Sequence, residues 1–159
     1  MAVIKVGGAT ETEIDEKKFR VDDAVAATKA ALAEGIVTGG GVTLVNMAAK
    51  LDKTDDGARI VSEALKAPFV HIMDNAGLNA QALLAEVESA KTGFGVNVMK
   101  PEKGLVDLKK NGVIDPAKVT KEAVKNATSI AATAITMGAL ICEIPEEKPV
   151  APDMSGMGY

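Results

Sequence analysis

Three consecutive glycines, Gly39-Gly40-Gly41, stand directly before an apolar-periodic run that begins at Val42 and predicts a helix. Glycine loses more backbone entropy on folding than any other residue, so a triple glycine at a helix start is costly. We therefore expect another group to approach the backbone closely at this turn. Two interpretations stay open: a site where free N–H groups at a helix N-terminus hold an anion, or a turn where two helices cross tightly.

The core has to be built from aliphatic side chains, because the 159 residues include three Phe, one Tyr and no Trp. This length is about one domain at roughly 150 residues per domain. Apolar residues make up 47% and charged residues 25%, which is typical of a folded chain. A net charge of −4 and the scarcity of aromatic residues argue against nucleic acid as a partner.

A single cysteine and a single histidine leave little room for metal or thiol chemistry. Structural zinc needs a full set of Cys and His ligands, so we expect no metal site of that kind. Cys142 follows the apolar run 139–141, and His71 lies in an apolar helical stretch. We predict that both are buried core residues, with a Cys–His nucleophilic pair as the alternative.

Nothing in the sequence predicts a membrane or a secretory route. The apolar start at 2–6 is short and soon followed by acidic residues, unlike a signal peptide. The stretch 127–141 is apolar but contains Thr and Ser, and it is shorter than the roughly 20 residues of a membrane span. We interpret it as a buried helix and expect a cytoplasmic protein, with a mitochondrial or plastid origin as the alternative.

The periodicity predicts a mainly α-helical chain with short β elements. A capping box formed by Thr10 and Glu13 predicts the start of the first helix, and Gly35 predicts its end. Asp115-Pro116 predicts an N-cap and first turn for the last helix. The other predicted elements are a strand at 2–6, helices at 42–48, 55–75 with a kink at Pro68, 80–90 and 105–109, an extended segment at 92–99, and a last helix that reaches about residue 140.

Few polar residues point to chemistry. Asp22 and Asp23 are adjacent on the first helix and point about 100° apart, so one of them could serve as a general base or magnesium ligand. Without further information, a solvated helix face is the favoured explanation for them. Asn97 and Asp115 could bind a ligand through hydrogen bonds, although the role of helix cap would account for Asp115 completely.

Several ordered motifs resemble group I chaperonins, the GroEL-type proteins of bacteria, mitochondria and plastids. The resemblance covers essentially the whole chain and is to the C-terminal part of those proteins. It implies an intermediate-domain strand and helix at 1–34, the C-terminal half of the equatorial-domain helical bundle at 35–144, and a flexible tail at 145–159. The motifs are Ala2-Val3-Ile4-Lys5-Val6-Gly7, Arg20-Val21-Asp22-Asp23-Ala24, Gly39-Gly40-Gly41-Val42, Ala67-Pro68, Asn75-Ala76-Gly77 and Gly112-Val113-Ile114-Asp115-Pro116-Ala117-Lys118-Val119-Thr120.

The resemblance also implies roles for individual residues. Asp23 matches the carboxylate that orients the attacking water, and Gly40 matches the glycine whose backbone lies against the nucleotide. Asp115 matches the carboxylate that binds the ribose. The segment beside the adenine is matched by Asn97, Val98 and Met99, and an apolar contact to the base by Val113. The family usually has two alanines where this chain has Val98-Met99, and this segment is about two residues longer here.

The function implied by the resemblance is ATP-dependent assistance of protein folding in a homo-oligomeric double ring. A co-chaperonin and unfolded polypeptides would bind through an apical domain that this sequence does not contain. The family's phosphate-binding segment and its magnesium-binding Asp lie outside the matched part, so Mg²⁺-ATP belongs to the complete protein. One alternative is a non-enzymatic helical oligomerisation or interaction module with an incomplete ATP site. A second is an ATP-binding protein that recruits another chain for the phosphates.

Overall fold

The computed structural model describes residues 2–143, which form five α-helices and two small antiparallel sheets. The predicted mainly α-helical fold with short β elements is confirmed. The predicted tail at 145–159 lies outside the described residues. The helices are α1 (Glu11–Glu34), α2 (Val42–Ala48), α3 (Asp56–Asn75), α4 (Ala80–Ser89) and α5 (Ala117–Ile135). The strands are β1 (Ile36–Thr38), β2 (Phe94–Val96), β3 (Leu105–Asp107) and β4 (Ile114–Pro116), and a 3₁₀ turn spans Pro101–Lys103.

The predicted capping box starts α1. The hydroxyl of Thr10 accepts from the Glu13 N–H at 3.2 Å, and the Glu13 carboxylate accepts from the Ala9 N–H at 2.8 Å. At the other end, Gly35 adopts a φ of +82° and its N–H donates to the Ala31 carbonyl at 2.8 Å. Both predicted boundaries of this helix are therefore confirmed.

The predicted strand at 2–6 is wrong for this structure. A strand needs a partner for its backbone groups, and none of the described strands pairs with this segment. Instead, the segment lies along α1, where Lys17 Nζ donates to the Gly7 carbonyl at 3.2 Å. Ile4 and Val6 share a groove with Ile14 and Val21 of that helix.

The core lies where α2, α3 and α4 meet the β2–β3 hairpin. It is aliphatic as predicted, with Phe69 as a fully buried aromatic exception. Ser62 is also buried, and its hydroxyl donates to the Ala48 carbonyl at 3.1 Å, which satisfies it. The main cluster contains Val42, Val45, Phe69, Met73, Ala80, Val87, Val96 and Leu108, and a second one contains Leu44, Ala48 and Leu65.

Helices α3 and α4 begin and end close to the predicted positions. The Asp55 carboxylate caps α3 by accepting from the Ala58 N–H at 2.7 Å, and Asn79 caps α4 through Ala82. Helix α3 continues through Pro68 and stops at Asn75, before Gly77 with its φ of +71°. The Pro68 ring removes one backbone donor without ending the helix.

The helix predicted at 105–109 is wrong, because residues 105–107 form β3. Antiparallel pairing sets Val106 opposite Gly95 and Leu105 opposite Val96. These pairs bury Val96 against the core and let the backbone of Leu105–Asp107 bond across the hairpin. Tertiary pairing thus outweighs the local helical preference of this short segment.

Helix α5 is exposed and not the predicted buried helix. None of its residues is buried, and it ends at Ile135, five residues before the predicted end. Cys142 and His71, both predicted to be buried, are exposed. All three predictions of burial fail for the same reason, because no element among the described residues covers the apolar face of α5, Cys142 or His71. Among residues 2–143, no helix is both long and apolar enough to cross a membrane.

The close approach of Gly41 to α3 yields a stability prediction. A Cβ placed on Gly41 would lie 2.8 Å from the Cα of Phe69, and Gly41 has a φ of +76°. Gly77 has a similar φ of +71° but nothing within 4 Å. We expect Gly77→Ala to cost about 1 kcal/mol for the left-handed backbone, and Gly41→Ala to cost about 1–3 kcal/mol more from overpacking.

Urea unfolding followed by circular dichroism measures both free energies of unfolding. Equal losses for the two variants would contradict the close α2–α3 crossing.

Candidate functional site

The three glycines have three different surroundings. Gly41 meets the backbone of Phe69 in α3, so the tight helix crossing accounts for it. Gly39 lies against β4: its N–H donates to the Val113 carbonyl at 3.0 Å, and an added Cβ would be 3.1 Å from the Ile114 backbone. Packing within the chain therefore excludes a side chain at Gly41 and crowds one at Gly39.

Gly40 is the glycine that packing does not explain. It has a φ of +65° and is half-buried, and an added Cβ would meet only Val113 Cγ1 at 3.8 Å and Leu108 Cδ1 at 3.9 Å. Both distances are ordinary van der Waals contacts. The Gly40 backbone therefore leaves room for a bound group next to the side chains of Val113 and Leu108.

The interpretation as an anion site at a helix N-terminus is not supported. Helix α2 has seven residues, and three of its first four N–H groups are bonded within the turn: Val42 N–H donates to the Gly39 carbonyl at 3.3 Å, and the N–H groups of Leu44 and Val45 donate to the Gly41 carbonyl at 3.1 and 3.3 Å. The Thr43 hydroxyl donates to the Thr38 carbonyl at 2.7 Å. The turn thus uses these N–H groups internally, and what it offers to a ligand is the open surface at Gly40.

Asp115 is not the helix cap that the sequence predicts. It lies in β4 opposite Val37, and Pro116 occupies the N-cap position of α5 without a side-chain hydrogen bond. The Ala117 N–H, at the first helical position, donates to the Gly35 carbonyl at 3.0 Å. Strand pairing with β1 determines this arrangement, so the explanation of Asp115 as a cap is wrong.

The Asp115 carboxylate is half-buried beside the glycine turn. Its Oδ1 atom lies 3.2 Å from the position of a Cβ on Gly39. Burial raises the pKa of this carboxyl above its ordinary value of 3.8, and no hydrogen bond or neighbouring charge from the described residues offsets that effect. The carboxylate also lines a cavity of about 170 Å³ between α1 and the β1–β4 sheet. Asp115 is therefore a polar group held in place without a structural partner.

The segment 97–99 contributes two of its three predicted residues to the protein interior. Asn97 Oδ1 accepts from the Met99 N–H at 3.0 Å, so the amide oxygen stabilises the turn after β2. Val98 is half-buried against the main core. Met99 is 83% exposed, and the contact of all three residues with adenine stays a prediction.

Strand β2 runs beside the glycine turn. An added Cβ on Gly93 would lie 3.6 Å from Thr38 Oγ1, and one on Gly95 would lie 2.5 Å from Val42 Cγ2. Asn97 lies two residues further along, about 7 Å at 3.3 Å per residue. The structure thus brings Gly40 and Val113 together directly, with Asp115 and Asn97 on the adjoining strand ends.

Asp23 is not part of this cluster. It is exposed on α1, twelve residues before Gly35, which is about 18 Å along the helix axis at 1.5 Å per residue. Its neighbour Asp22 lines the groove between α1 and the N-terminal segment. In this arrangement the predicted base lies apart from the glycine turn.

Sequence reasoning missed two residues of the site, Gly95 and Leu108. A glycine within an extended segment signals a close backbone approach, and Gly95 could have been found by that signal. Leu108 is fully buried between β2 and the glycine turn. It was hidden because its segment was predicted as a helix.

The buried carboxyl of Asp115 gives a prediction for the dependence of stability on pH. Because the folded-state pKa lies above the unfolded value, folding is favoured most below pH 3.8 and that contribution is lost as the pH rises through the raised pKa. Asp115→Asn removes the ionisation. We expect this variant to gain stability relative to the wild type between pH 3 and pH 7, in urea unfolding measured at each pH.

The control is Asp74→Asn, which changes an exposed carboxyl near the end of α3. Parallel pH profiles for the wild type and Asp115→Asn would contradict the assignment.

A comparison with known families identifies the family of this chain. A sequence model of the TCP-1/cpn60 chaperonin family matches residues 1–145, which is most of the chain. The matched range contains α1 to α5, the glycine turn, and the whole cluster around Gly40 and Asp115. The chain therefore belongs to the TCP-1/cpn60 chaperonin family, and chaperonin-type assistance of protein folding is the function that this membership implies.

Proposed function

We propose that the cluster of Gly40, Asn97, Val113 and Asp115 is the nucleoside-binding part of an ATP site in a group I-type chaperonin. The observation that carries the proposal is the environment of Asp115. Its carboxylate is half-buried and neither caps a helix nor has a partner that would lower its pKa. Partial burial of an ionisable group costs folding free energy, and a ligand that donates hydrogen bonds to the carboxylate would offset that cost.

The residues present fit a nucleoside. A carboxylate accepts hydrogen bonds from ribose hydroxyls, and such bonds to the ionised form would bring the pKa of Asp115 down again. The half-buried Val113 and Val98 offer apolar contact to a base. Gly40 gives the ligand room to lie against the backbone. The carboxylate thus suits the ribose, the two valines suit the base, and the open backbone at Gly40 gives the nucleoside space.

The same residues do not fit the triphosphate and its Mg²⁺. Phosphate sites rely on cations or on free backbone N–H groups. None of the predicted site residues is cationic, and the N–H groups of Val42, Leu44 and Val45 are bonded within the turn. The phosphates and the metal belong to parts of the family's site that other residues supply. Bound ATP would supply the free energy of its hydrolysis to the conformational changes of the chaperonin.

In this proposal Asp23 orients the attacking water. A carboxylate in that role has to reach the phosphates, and Asp23 lies about 18 Å along α1 from Gly35. Helix α1 would therefore have to change its angle to the β1–β4 sheet during the cycle. Gly35, which joins them at a φ of +82° with nothing within 4 Å of an added Cβ, leaves space for that change.

The whole-protein function in this proposal is ATP-driven folding in a homo-oligomeric double ring. Nucleotide binding and hydrolysis would shift the populations of closed and open subunits. Unfolded polypeptides and a co-chaperonin would bind to a separate apical domain, and the compartment would be the cytoplasm. In the same proposal, residues 1–34 belong to an intermediate domain and residues 35–144 to an equatorial domain.

Binding measurements test the nucleoside site directly. Because the predicted site residues contact only the nucleoside, we expect this chain to bind adenosine and Mg²⁺-ATP with affinities within about threefold of each other. Asp115→Ala should weaken adenosine binding about tenfold or more, since a hydrogen bond to a charged group contributes about 1.5–3 kcal/mol. Isothermal titration calorimetry measures both effects.

The control variant is Asp74→Ala, which should bind adenosine like the wild type. Mg²⁺-ATP binding at least a hundredfold tighter than adenosine would show that phosphate-binding groups are present after all. Absence of adenosine binding would refute the nucleoside site.

A second candidate function is self-association, and the exposed apolar face between α3 and α5 favours it. This groove has a volume of about 500 Å³ and contains no charged side chain. Ile60 and Ile135, at its rims, are 69% and 83% exposed. A two-fold pair would set this same uncharged face of one copy against that of the other. Its lining includes Leu44, Ile60, Val61, Leu65, Pro68, Val124, Ala127, Ala131 and Ile135.

A charged substitution in the groove tests whether the chain self-associates through this face. Ala131 lies in the groove, and Ser129 lies about 160° away around α5 and outside it. We expect Ala131→Glu to shift sedimentation equilibrium towards the monomer, because a carboxylate cannot be buried unpaired in an apolar interface. Ser129→Glu should leave the association unchanged, and equal effects of the two substitutions would contradict the assigned face.

A further inference from the structure

Leu108 connects all the segments that carry the candidate site. Its side chain is fully buried. The Cδ1 atom lies 3.9 Å from the position of a Cβ on Gly40 and 2.9 Å from that of a Cβ on Gly95. One methyl group of Leu108 therefore lies between the glycine turn and β2.

The Leu108 backbone makes two further connections. Its N–H donates to the Gly93 carbonyl at 3.2 Å, and its carbonyl accepts from the Val113 N–H at 2.9 Å. The Val113 carbonyl in turn accepts from the Gly39 N–H at 3.0 Å. A path of backbone hydrogen bonds thus runs from Gly93, the residue before β2, through Leu108 and Val113 to the glycine turn.

Every residue of the nucleoside cluster is at most two residues from one of these contacts. Gly40 lies over the Leu108 side chain, and Val113 is bonded to its carbonyl. Asn97 follows Gly95 by two residues, and Asp115 follows Val113 by two. The distance between the two sides of the cluster thus depends on the volume of the Leu108 side chain, which packs against Gly95 beside Val42.

We propose that Leu108 is the positioning residue of the nucleoside site, which sets the separation between the Gly40 turn and the Asn97 strand end so that a purine nucleoside fits between them. The inference rests on the proposed nucleoside site and goes further by assigning its width to one buried residue. Leu108 does not touch the ligand in this proposal. It acts through Gly40, Gly95 and Val113.

The test begins with the protein free of ligand. In ¹H–¹⁵N NMR spectra, Leu108→Ala should shift the amide signals of Gly40, Asn97 and Asp115 together. The Gly40 and Asn97 segments lose the same side-chain contact, and Asp115 follows Val113, which packs beside Gly40 and is hydrogen-bonded to the Leu108 backbone. Met73→Ala is the matched control, since Met73 is also fully buried in the main cluster and loses a side chain of similar size. We expect it to leave those three signals in place. If Leu108→Ala leaves them in place as well, the positioning role is wrong.

The second part of the test measures affinity for adenosine by calorimetry. Leu108→Ala should weaken binding about tenfold, which corresponds to about 1.4 kcal/mol. Leu108→Met, which conserves the volume, should restore it. Equal weakening by Met73→Ala, or no restoration by methionine, would mean that Leu108 contributes only to general stability and would overturn the proposal.

Failure of the wild type to bind adenosine would refute the proposed function itself. The NMR comparison still decides in that case whether Leu108 positions the three segments. The two parts therefore distinguish an error in the ligand from an error in the positioning residue.

Discussion

The contact between Gly41 and the backbone of Phe69 is the constraint on which the rest of the structure depends. Helix α2 can cross α3 at this distance only because residue 41 has no Cβ, and the left-handed φ of +76° turns the chain from β1 into α2. The crossing buries Val42, Val45 and Phe69 completely or nearly so. A core built largely from small aliphatic residues has to gain its stability through such close packing.

The same turn places the candidate site at the edge of that core. Packing fills the space at Gly41 and Gly39, whereas Gly40 is left with room above Val113 and Leu108. Strand β4 then brings Asp115 to the turn, at a folding cost that shows in the raised pKa of its carboxyl. A polar group kept under such a cost is typical of binding sites, where function and stability oppose each other. This makes Asp115 the most informative residue of the cluster.

The apolar groove between α3 and α5 is the feature that supports the proposed self-association. Helix α5 has an apolar face but no buried residue, whereas α3 buries one side against α2 and α4 and leaves Ile60 exposed. Exposed apolar area of this kind is unusual for a monomer in water. The prediction of a buried last helix was wrong. The sequence pattern predicts an apolar face on α5, but burial of that face requires another element to pack against it.

The amino-acid sequence by itself determined the helix boundaries at Thr10, Gly35, Asp55 and Gly77, because caps and left-handed glycines act through neighbours along the chain. It also determined the aliphatic core and, through ordered motifs, the family. Only the tertiary structure decided the β2–β3 pairing, the place of Asp115 in a strand, and the burial of Leu108. Each of these depends on contacts between distant segments, which compete with local preference and outweigh it once backbone groups and apolar surface are buried together.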